Sequence, residues 1–249
     1  MGVQARHVDF LAQPVSEIPR AAEFYGGVLG LTRNPESGDR WTEFETGNLT
    51  LGLSTFGPAL AFRVDDVAEA RSTLEDEGVE FGMDTFDSGV CHGAPFTDPD
   101  GNRVVLHRRY AASGSVAISN PLVDRTDFVG INVTDRERAG EFYGGTLGLE
   151  RNPLSSDEWP EYEADNVGVI LSLPEQRNEP EHRPSVFSPA FRVADVGEAM
   201  ERLRERGVEF AFAEVYDTGV CHMAFFSDPD DNPLILHRRY APYPDGSLP

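Results

Sequence analysis

The sequence predicts an α+β fold made of four βαβββ units in two tandem modules. Three observations carry that expectation. The 249-residue chain repeats itself: Asp87-Ser-Gly-Val-Cys-His92 returns as Asp217-Thr-Gly-Val-Cys-His222, and Glu23-Phe-Tyr-Gly-Gly27 returns as Glu141-Phe-Tyr-Gly-Gly145. Asp98-Pro-Asp-Gly-Asn102 with Leu106-His-Arg-Arg-Tyr110 returns as Asp228-Pro-Asp-Asp-Asn232 with Leu236-His-Arg-Arg-Tyr240. Repetition at this scale marks two copies of one folding unit. Secondly, short runs alternate apolar and polar residues, the period of a half-buried strand. Thirdly, each copy carries two short stretches with helix-start signals, each preceded by a strand pattern.

The elements follow in order. Phe10 to Val15 reads as a strand, with Ser16 as N-cap of a helix whose apolar side begins at Ala21, Ala22, Phe24 and Tyr25. The Gly26-Gly27 pair is expected to weaken or end that helix. Trp41–Glu45 and Leu49–Leu53 alternate around the turn Thr46-Gly-Asn48, giving a hairpin. Leu60–Val64 is the next strand; Asp65 or Asp66 caps a helix that ends near Gly78. Gly89–Phe96 and Arg103–Arg108 form the last two strands, joined by the Asp98 turn.

From Ser16 to Ser54 the copies align at a shift of 118; by His92 the shift is 130. The extra residues fall in Pro174–Pro184, polar and Pro-rich, which reads as an exposed loop without regular structure. The expected organisation is a first module over 1–112, a linker over 113–124 and a second module over 125–249.

Composition narrows the function classes. Acidic residues number 43 against 21 basic, all of them Arg, for a net charge of −22. Such a surface repels nucleic acid and anionic membranes. The absence of Lys excludes Schiff-base catalysis and Lys-dependent phosphate loops. Two cysteines, Cys91 and Cys221, make no disulfide scaffold. Apolar runs such as Val167–Leu171 are strand-length, and Met1–Arg6 lacks a secretion-signal core, so a cytoplasmic location is expected. Nor does Gly2 begin a myristoylation motif.

The series Phe-Tyr-x-x-x-Leu-Gly-Leu, Ala-Phe-Arg-Val-x-Asp-Val and Asp-Pro-Asp-Gly-Asn resembles the vicinal oxygen chelate superfamily, which includes glyoxalases, bleomycin-resistance proteins and extradiol dioxygenases. The resemblance spans about His7 to Tyr110 and Phe128 to Tyr240. It implies two modules, each a cup-shaped mixed sheet with helices outside and a ligand site within. It also implies a divalent metal in many members, held by His or Glu at three strand positions. In this sequence those positions hold Phe10, Ala59 and Val105 in one copy and Phe128, Ser188 and Ile235 in the other. Carbon side chains cannot ligate a cation, so no metal site of the usual kind and no cofactor is expected; a divalent metal would require a non-standard site.

The remaining polar residues define the candidate site. His107 and His237 lie two residues beyond the Glu position of metal-using relatives, on the inward face by strand alternation. The register of related modules puts Cys91 and Cys221 inward too, with Met223 and Phe225, and sends His92 and His222 towards the helices. These four Cys and His residues are the candidate catalytic groups; the alternatives are a buried apolar Cys and a core His satisfied by backbone. Arg109 and Arg239 follow inward near the rim, as clamps for an anion or as surface ion pairs. Phe10, Phe128, Val105, Ile235, Trp41 and Trp159 are candidate walls. The expected function is binding of a small metabolite or drug-like ligand in metal-free cups. The alternative is a lyase or dioxygenase using a non-standard Cys/His site. The expected partner is a small molecule, with a monomer (internal pseudo-dimer) or homodimer as the assembly.

Overall fold

The computed structural model describes residues 3–112, 116–177, 181–243 and 246–247. Met1 and Gly2, the linker positions 113–115 and the loop positions 178–180 lie outside the described residues. In chain order the elements are β1 (His7–Pro14), α1 (Ile18–Ala22) running into a π-helical turn (Glu23–Val28), β2 (Thr32–Arg33), β3 (Trp41–Glu45), β4 (Thr50–Ser54), β5 (Ala59–Arg63), α2 (Val67–Asp76), β6 (Phe86–Asp87), β7 (Cys91–Thr97) and β8 (Arg103–Arg109). The second repeat gives β9 (Arg125–Asn132), α3 (Arg136–Gly140) with its π-helical turn (Glu141–Thr146), β10 (Glu150–Arg151), β11 (Glu161–Ala164), β12 (Val167–Ser172), a 3₁₀ turn (Pro174–Arg177), β13 (Phe187–Arg192), α4 (Val196–Arg204), β14 (Tyr216–Asp217), β15 (Cys221–Ser227) and β16 (Pro233–Arg239). The strands form two eight-stranded mixed sheets, one per repeat.

Packing groups the chain differently from the repeat. One compact unit takes Met1–Ala12, Pro58–Ser115 and Gly130–Phe187; the other takes Gln13–Gly57, Val116–Val129 and Ser188–Pro249. Each unit therefore contains parts of both repeats. A reciprocal hydrogen bond shows one reason. In the first unit Tyr143 donates its phenol to Asp98 Oδ2 at 2.8 Å, and in the second Tyr25 donates to Asp228 Oδ2 at 2.9 Å. Each turn Asp also accepts from its own loop: Asp98 Oδ1 takes the N–H groups of Asp100 and Asn102 at 2.9 and 2.8 Å. Two of the recurring motifs are thus halves of one contact, completed between repeats rather than within them.

In the first unit β5 runs parallel to β8, with Arg63 beside His107, and β8 runs antiparallel to β7, with Cys91 opposite Arg109 and Gly93 opposite His107. Leu60, Phe62, Ala94, Phe96, Val104 and Leu106 share one face and are buried there with Val67, Ala70 and Leu74 of α2. Each such Leu or Phe contributes roughly 1.5–3 kcal/mol by leaving water. The opposite face carries Ala61, Cys91, Pro95, Val105 and His107, and it is this face that holds the candidate site. The second unit repeats the ladder: Arg192 lies beside His237, Cys221 opposite Arg239 and Met223 opposite His237.

Helix starts follow the sequence at Asp66, whose carboxylate takes the Ala68 and Glu69 N–H groups at 2.8 and 2.9 Å. Gly78, at φ 90°, turns the chain out of the helix where L side chains are disfavoured. Three expectations are corrected. Ser16 is not the N-cap of α1: Glu17 occupies that position without a side-chain bond, and the Ser16 hydroxyl accepts from Arg20 instead. Gly26-Gly27 does not end the helix, which widens into a π-helical turn closed by Leu29 N–H to Phe24 O at 2.9 Å. A Cβ on Gly26 would stand 3.1 Å from the Phe44 ring, so the bare glycine lets strand and helix approach. Finally, the Pro174 loop holds regular structure: Pro174–Arg177 forms a 3₁₀ turn, and His182 and Ser185 bond to the Asp98 turn.

Candidate functional site

The first strand and the last two strands of each repeat bring together an aspartate, a histidine and a cysteine. In the first unit His107 on β8 is buried, and its Nδ1 lies 2.5 Å from Asp9 Oδ2 on β1. Asp9 Oδ1 accepts in turn from Arg63 Nε at 2.7 Å. The Cys91 thiol lies near enough across the β7–β8 ladder to interact with His107. With Nδ1 committed to the carboxylate, Nε2 is the ring nitrogen left for sulfur. Ser88 Oγ lies 3.1 Å from the same sulfur. The second unit matches it: His237 Nδ1 is 2.6 Å from Asp127 Oδ2, Asp127 Oδ1 accepts from Arg192 Nε at 2.7 Å, and the Cys221 thiol lies near enough to interact with His237.

The aspartates were not among the sequence candidates, and the register explains why. On β1, Val8 pairs with Phe62 and Phe10 with Ala61, so Asp9 is an extra residue in a β-bulge. A bulge defeats strict alternation. Asp9 and Phe10 therefore both reach His107, the Phe10 ring meeting the imidazole edge-on at 5.2 Å. Asp127 and Phe128 share His237 in the same way, with rings 5.3 Å apart. One signal was available: Asp9 and Asp127 recur at the same shift as Phe10 and Phe128.

The electrostatics follow from burial and partners. Burial pulls the His107 pKa down, but the hydrogen bond to Asp9, then that to Cys91, and both groups' charges push it up to about 9. His237 is raised to about 9 against the same burial by Asp127 and Cys221. Asp9 is opposed by burial and still held below its usual value by His107 and Arg63. Burial would raise the Cys91 thiol, yet bonds to His107 and Ser88, and the charges of His107 and Arg109, hold it below its ordinary value. At neutral pH His107 is an imidazolium between the Asp9 carboxylate and the Cys91 thiol, whose ionisation it favours.

The other candidates are placed as follows. Val105 and Ile235 are buried on the site face, next to His107 and His237 in their strands. Gly93 opposite His107 is covered by the Phe86 ring, which a Cβ would strike at 2.3 Å. Met223 takes that place in the second unit, and Phe225 beyond it packs with Phe212 and Tyr216, ring centroids 6.0–6.1 Å apart. Phe212 and Tyr216 are about half exposed, so this is an open aromatic surface next to the His237 strand. Arg109 is exposed, while Arg239 lies over the Tyr243 ring at 4.3 Å and donates to Pro242 O. Trp41 lies over Gly52 with Nε1 bonded to Glu43, and Trp159 is 40% exposed. His92 and His222 do not pack on helices: His92 is exposed and His222 partly so, their rings tilted against Tyr110 and Tyr240 at 4.9 and 4.7 Å. The hairpin end that carries them extends into solvent.

A family model for the Glyoxalase/Bleomycin resistance protein/Dioxygenase superfamily matches residues 7–106 and 125–236. The chain belongs to this superfamily. Solved structures agree on the fold. A Mn(II)-bound glyoxalase from Novosphingobium aromaticivorans superposes with a TM-score of 0.68 at 13% identity, covering 94% of this chain and 82% of that one. The 2,3-dioxygenase LapB from Pseudomonas sp. KL28 gives 0.68 at 14% identity, covering 100% and 97%. A variant of homoprotocatechuate 2,3-dioxygenase from B. fuscum gives 0.63 at 16% identity, covering 99% and 76%. No curated protein matches the sequence.

Neighbours of this kind raise the question of a metal, and the residues present do not fit one. The family's ligand positions carry Phe10, Ala59 and Val105 in one repeat, and Phe128, Ser188 and Ile235 in the other, a single hydroxyl in six side chains. Among the described residues no group of three or more His, Cys, Asp or Glu is placed to hold a metal ion. The Asp9 carboxylate is already engaged, one oxygen by His107 Nδ1 at 2.5 Å and the other by Arg63 Nε at 2.7 Å.

Proposed function

We propose that the chain binds a small, partly aromatic organic ligand on the strand face that carries the Asp–His–Cys relay, without the metal of its enzymatic relatives. One observation carries this reading: the relay is built twice onto an apolar face, where both repeats have carbon at the family's metal positions. Apolar walls with a few fixed polar groups are what a small-molecule site needs. The walls are Phe10 and Val105 in one repeat and Phe128, Ile235, Met223 and Phe225 in the other. The acidic surface argues against nucleic acid or anionic lipid as partners, and among the described residues no helix is long and apolar enough to cross a membrane. A cytoplasmic monomer or homodimer is the form in which we expect it to act.

The test is native mass spectrometry of the purified chain, with solvent extraction of any adduct and elemental analysis alongside. The expected result is an organic adduct that is lost when Phe212→Ser and Phe225→Ser open the aromatic surface, with Fe, Mn, Ni and Zn far below one per chain. Stoichiometric metal that departs with His107→Ala and His237→Ala would overturn the proposal.

A second reading, a lyase or dioxygenase with a non-standard site, is favoured by the relay itself. A buried imidazolium beside a thiol can give and take a proton next to a bound carbonyl compound. Oxygen uptake in the presence of catechol would establish the dioxygenase form of this reading, and its absence would remove it.

A further inference from the structure

We propose that the two sites have diverged: the first is a nucleophilic cysteine site for small carboxylates that bear an electrophilic carbonyl carbon, with Cys91 attacking that carbon and Arg109 holding the carboxylate. This rests on the reading that the strand face binds a small organic ligand, and goes beyond it by naming the ligand's chemistry at one of the two sites.

The asymmetry is plain in the side chains. Cys91 is half-buried and Cys221 is buried at 7% exposure. Both face an arginine directly across the ladder, Arg109 and Arg239, and such partners have Cβ atoms about 4.5–5.5 Å apart. Arg239 is packed on Tyr243 and donates to Pro242 O. Arg109 is exposed and makes no ion pair among the described residues, whereas neighbouring Arg63 binds Asp9 and Arg108 reaches Asp65 at 4.0 Å. With 43 acidic side chains against 21 arginines, a guanidinium left without a carboxylate is a cation waiting for an anion from outside. Arg109 also borders an open depression lined by Arg63, Arg108, Ala111 and Ala112, a cationic patch on a strongly acidic chain.

The chemistry the site supports is addition. The Cys91 thiolate forms an S–C bond to the carbonyl carbon, the C=O π bond opens, and its electron pair on oxygen takes the proton of the His107 imidazolium. The products are a neutral thiohemiacetal and a neutral imidazole; nothing is oxidised or reduced and no leaving group departs. Acyl transfer would need backbone N–H groups to hold a tetrahedral oxyanion. Those nearest the sulfur are already used: Ser88 N–H bonds Cys91 O at 3.0 Å, Gly89 N–H bonds Asp87 Oδ1 at 2.8 Å, and the Val90 and Cys91 N–H groups bond Ser88 Oγ at 3.3 and 3.1 Å. His107 is left as the proton donor, which suits a reversible adduct.

The experiment alkylates the native full-length chain with iodoacetate or iodoacetamide and follows each cysteine by peptide mass spectrometry, with and without glyoxylate as a reversible competitor. Alkylation forms the S–C bond and expels iodide, so it reads the thiolate directly. Cys91 is expected to react about tenfold or more faster than Cys221. Its iodoacetate-to-iodoacetamide rate ratio should exceed that of free cysteine by about tenfold, the order expected for one nearby cation. Arg109→Gln, on the exposed surface, should return that ratio to the free-cysteine value while leaving Cys91 faster than Cys221. His107→Gln should slow Cys91 towards both reagents, and glyoxylate should protect Cys91 and not Cys221. Equal rates at the two cysteines, an anion preference that survives Arg109→Gln, or no protection by glyoxylate would each overturn the proposal. These outcomes are separate from the ligand test: an empty native spectrum defeats ligand binding but leaves the alkylation result intact, and the reverse also holds.

Discussion

Asp9→Asn tests the relay most directly, because it keeps the side chain's shape and removes only the charge that holds His107 protonated. His107 binds its proton more tightly in the fold than in the unfolded chain, its pKa rising from 6.5 to about 9. The sign is therefore fixed: the stabilisation is fully present below pH 6.5 and is lost as pH rises through 9. At ~1.36 kcal/mol per pH unit, the rise corresponds to about 3 kcal/mol. Asp9 is the first-named group that raises this pKa, acting against burial, so Asp9→Asn should bring the titration back to within about a unit of 6.5. Arg63, half exposed, loses a partner at a cost of at most about 1 kcal/mol. The assay is NMR titration of imidazole-labelled protein from pH 5 to 10, with urea unfolding at pH 6 and pH 9. In the parent chain both His107 and His237 should titrate near 9, and stability should fall across that interval. In Asp9→Asn only His107 should move, with His237 as the internal reference, and part of the pH-dependent loss of stability should vanish. A His107 midpoint that stays near 9 in Asp9→Asn, or that already lies near 6.5 in the parent, would refute the relay.

Three further outcomes follow from the packing. Tyr143→Phe keeps the ring but deletes the donor to buried Asp98; urea denaturation should show a loss of about 1.5–3 kcal/mol, the worth of a hydrogen bond to a charged group. Gly52→Ala would put a Cβ 2.2 Å from the Trp41 ring; the ring must swing away, with an expected cost of about 1–3 kcal/mol and a shifted tryptophan emission. Asp66→Ala removes the cap that accepts from Ala68 and Glu69, and thermal unfolding should report a loss of about 1 kcal/mol.

The residues that were legible in the sequence and those that were not differ in a definable way. Cys91, His107 and Arg109 sit on regular strands, where a period of two fixes the face, and their placement on one side of β7 and β8 follows from counting. The cap at Asp66 was equally local: one polar side chain two and three residues from the amides it serves. Asp9 broke the count because a bulge puts two neighbours on one face, and no local feature of His7-Val-Asp-Phe10 announces a bulge. A different kind of ambiguity hid the Tyr–Asp contacts. Tyr25 and Tyr143 are each matched by two turn aspartates, Asp98 and Asp228, so the sequence is equally compatible with pairing inside a repeat or between repeats. Only the packed units resolve it, with Tyr143 on Asp98 and Tyr25 on Asp228. The consequence reaches the site. Asp98 and Asp228 close the turns that join β7 to β8 and β15 to β16, the strands that carry Cys91 with His107 and Cys221 with His237. The register that aligns each thiol with its imidazole is thus anchored at its far end by a tyrosine from the other repeat. A lone copy of the repeat would have to find that phenol elsewhere, within itself or on a second copy.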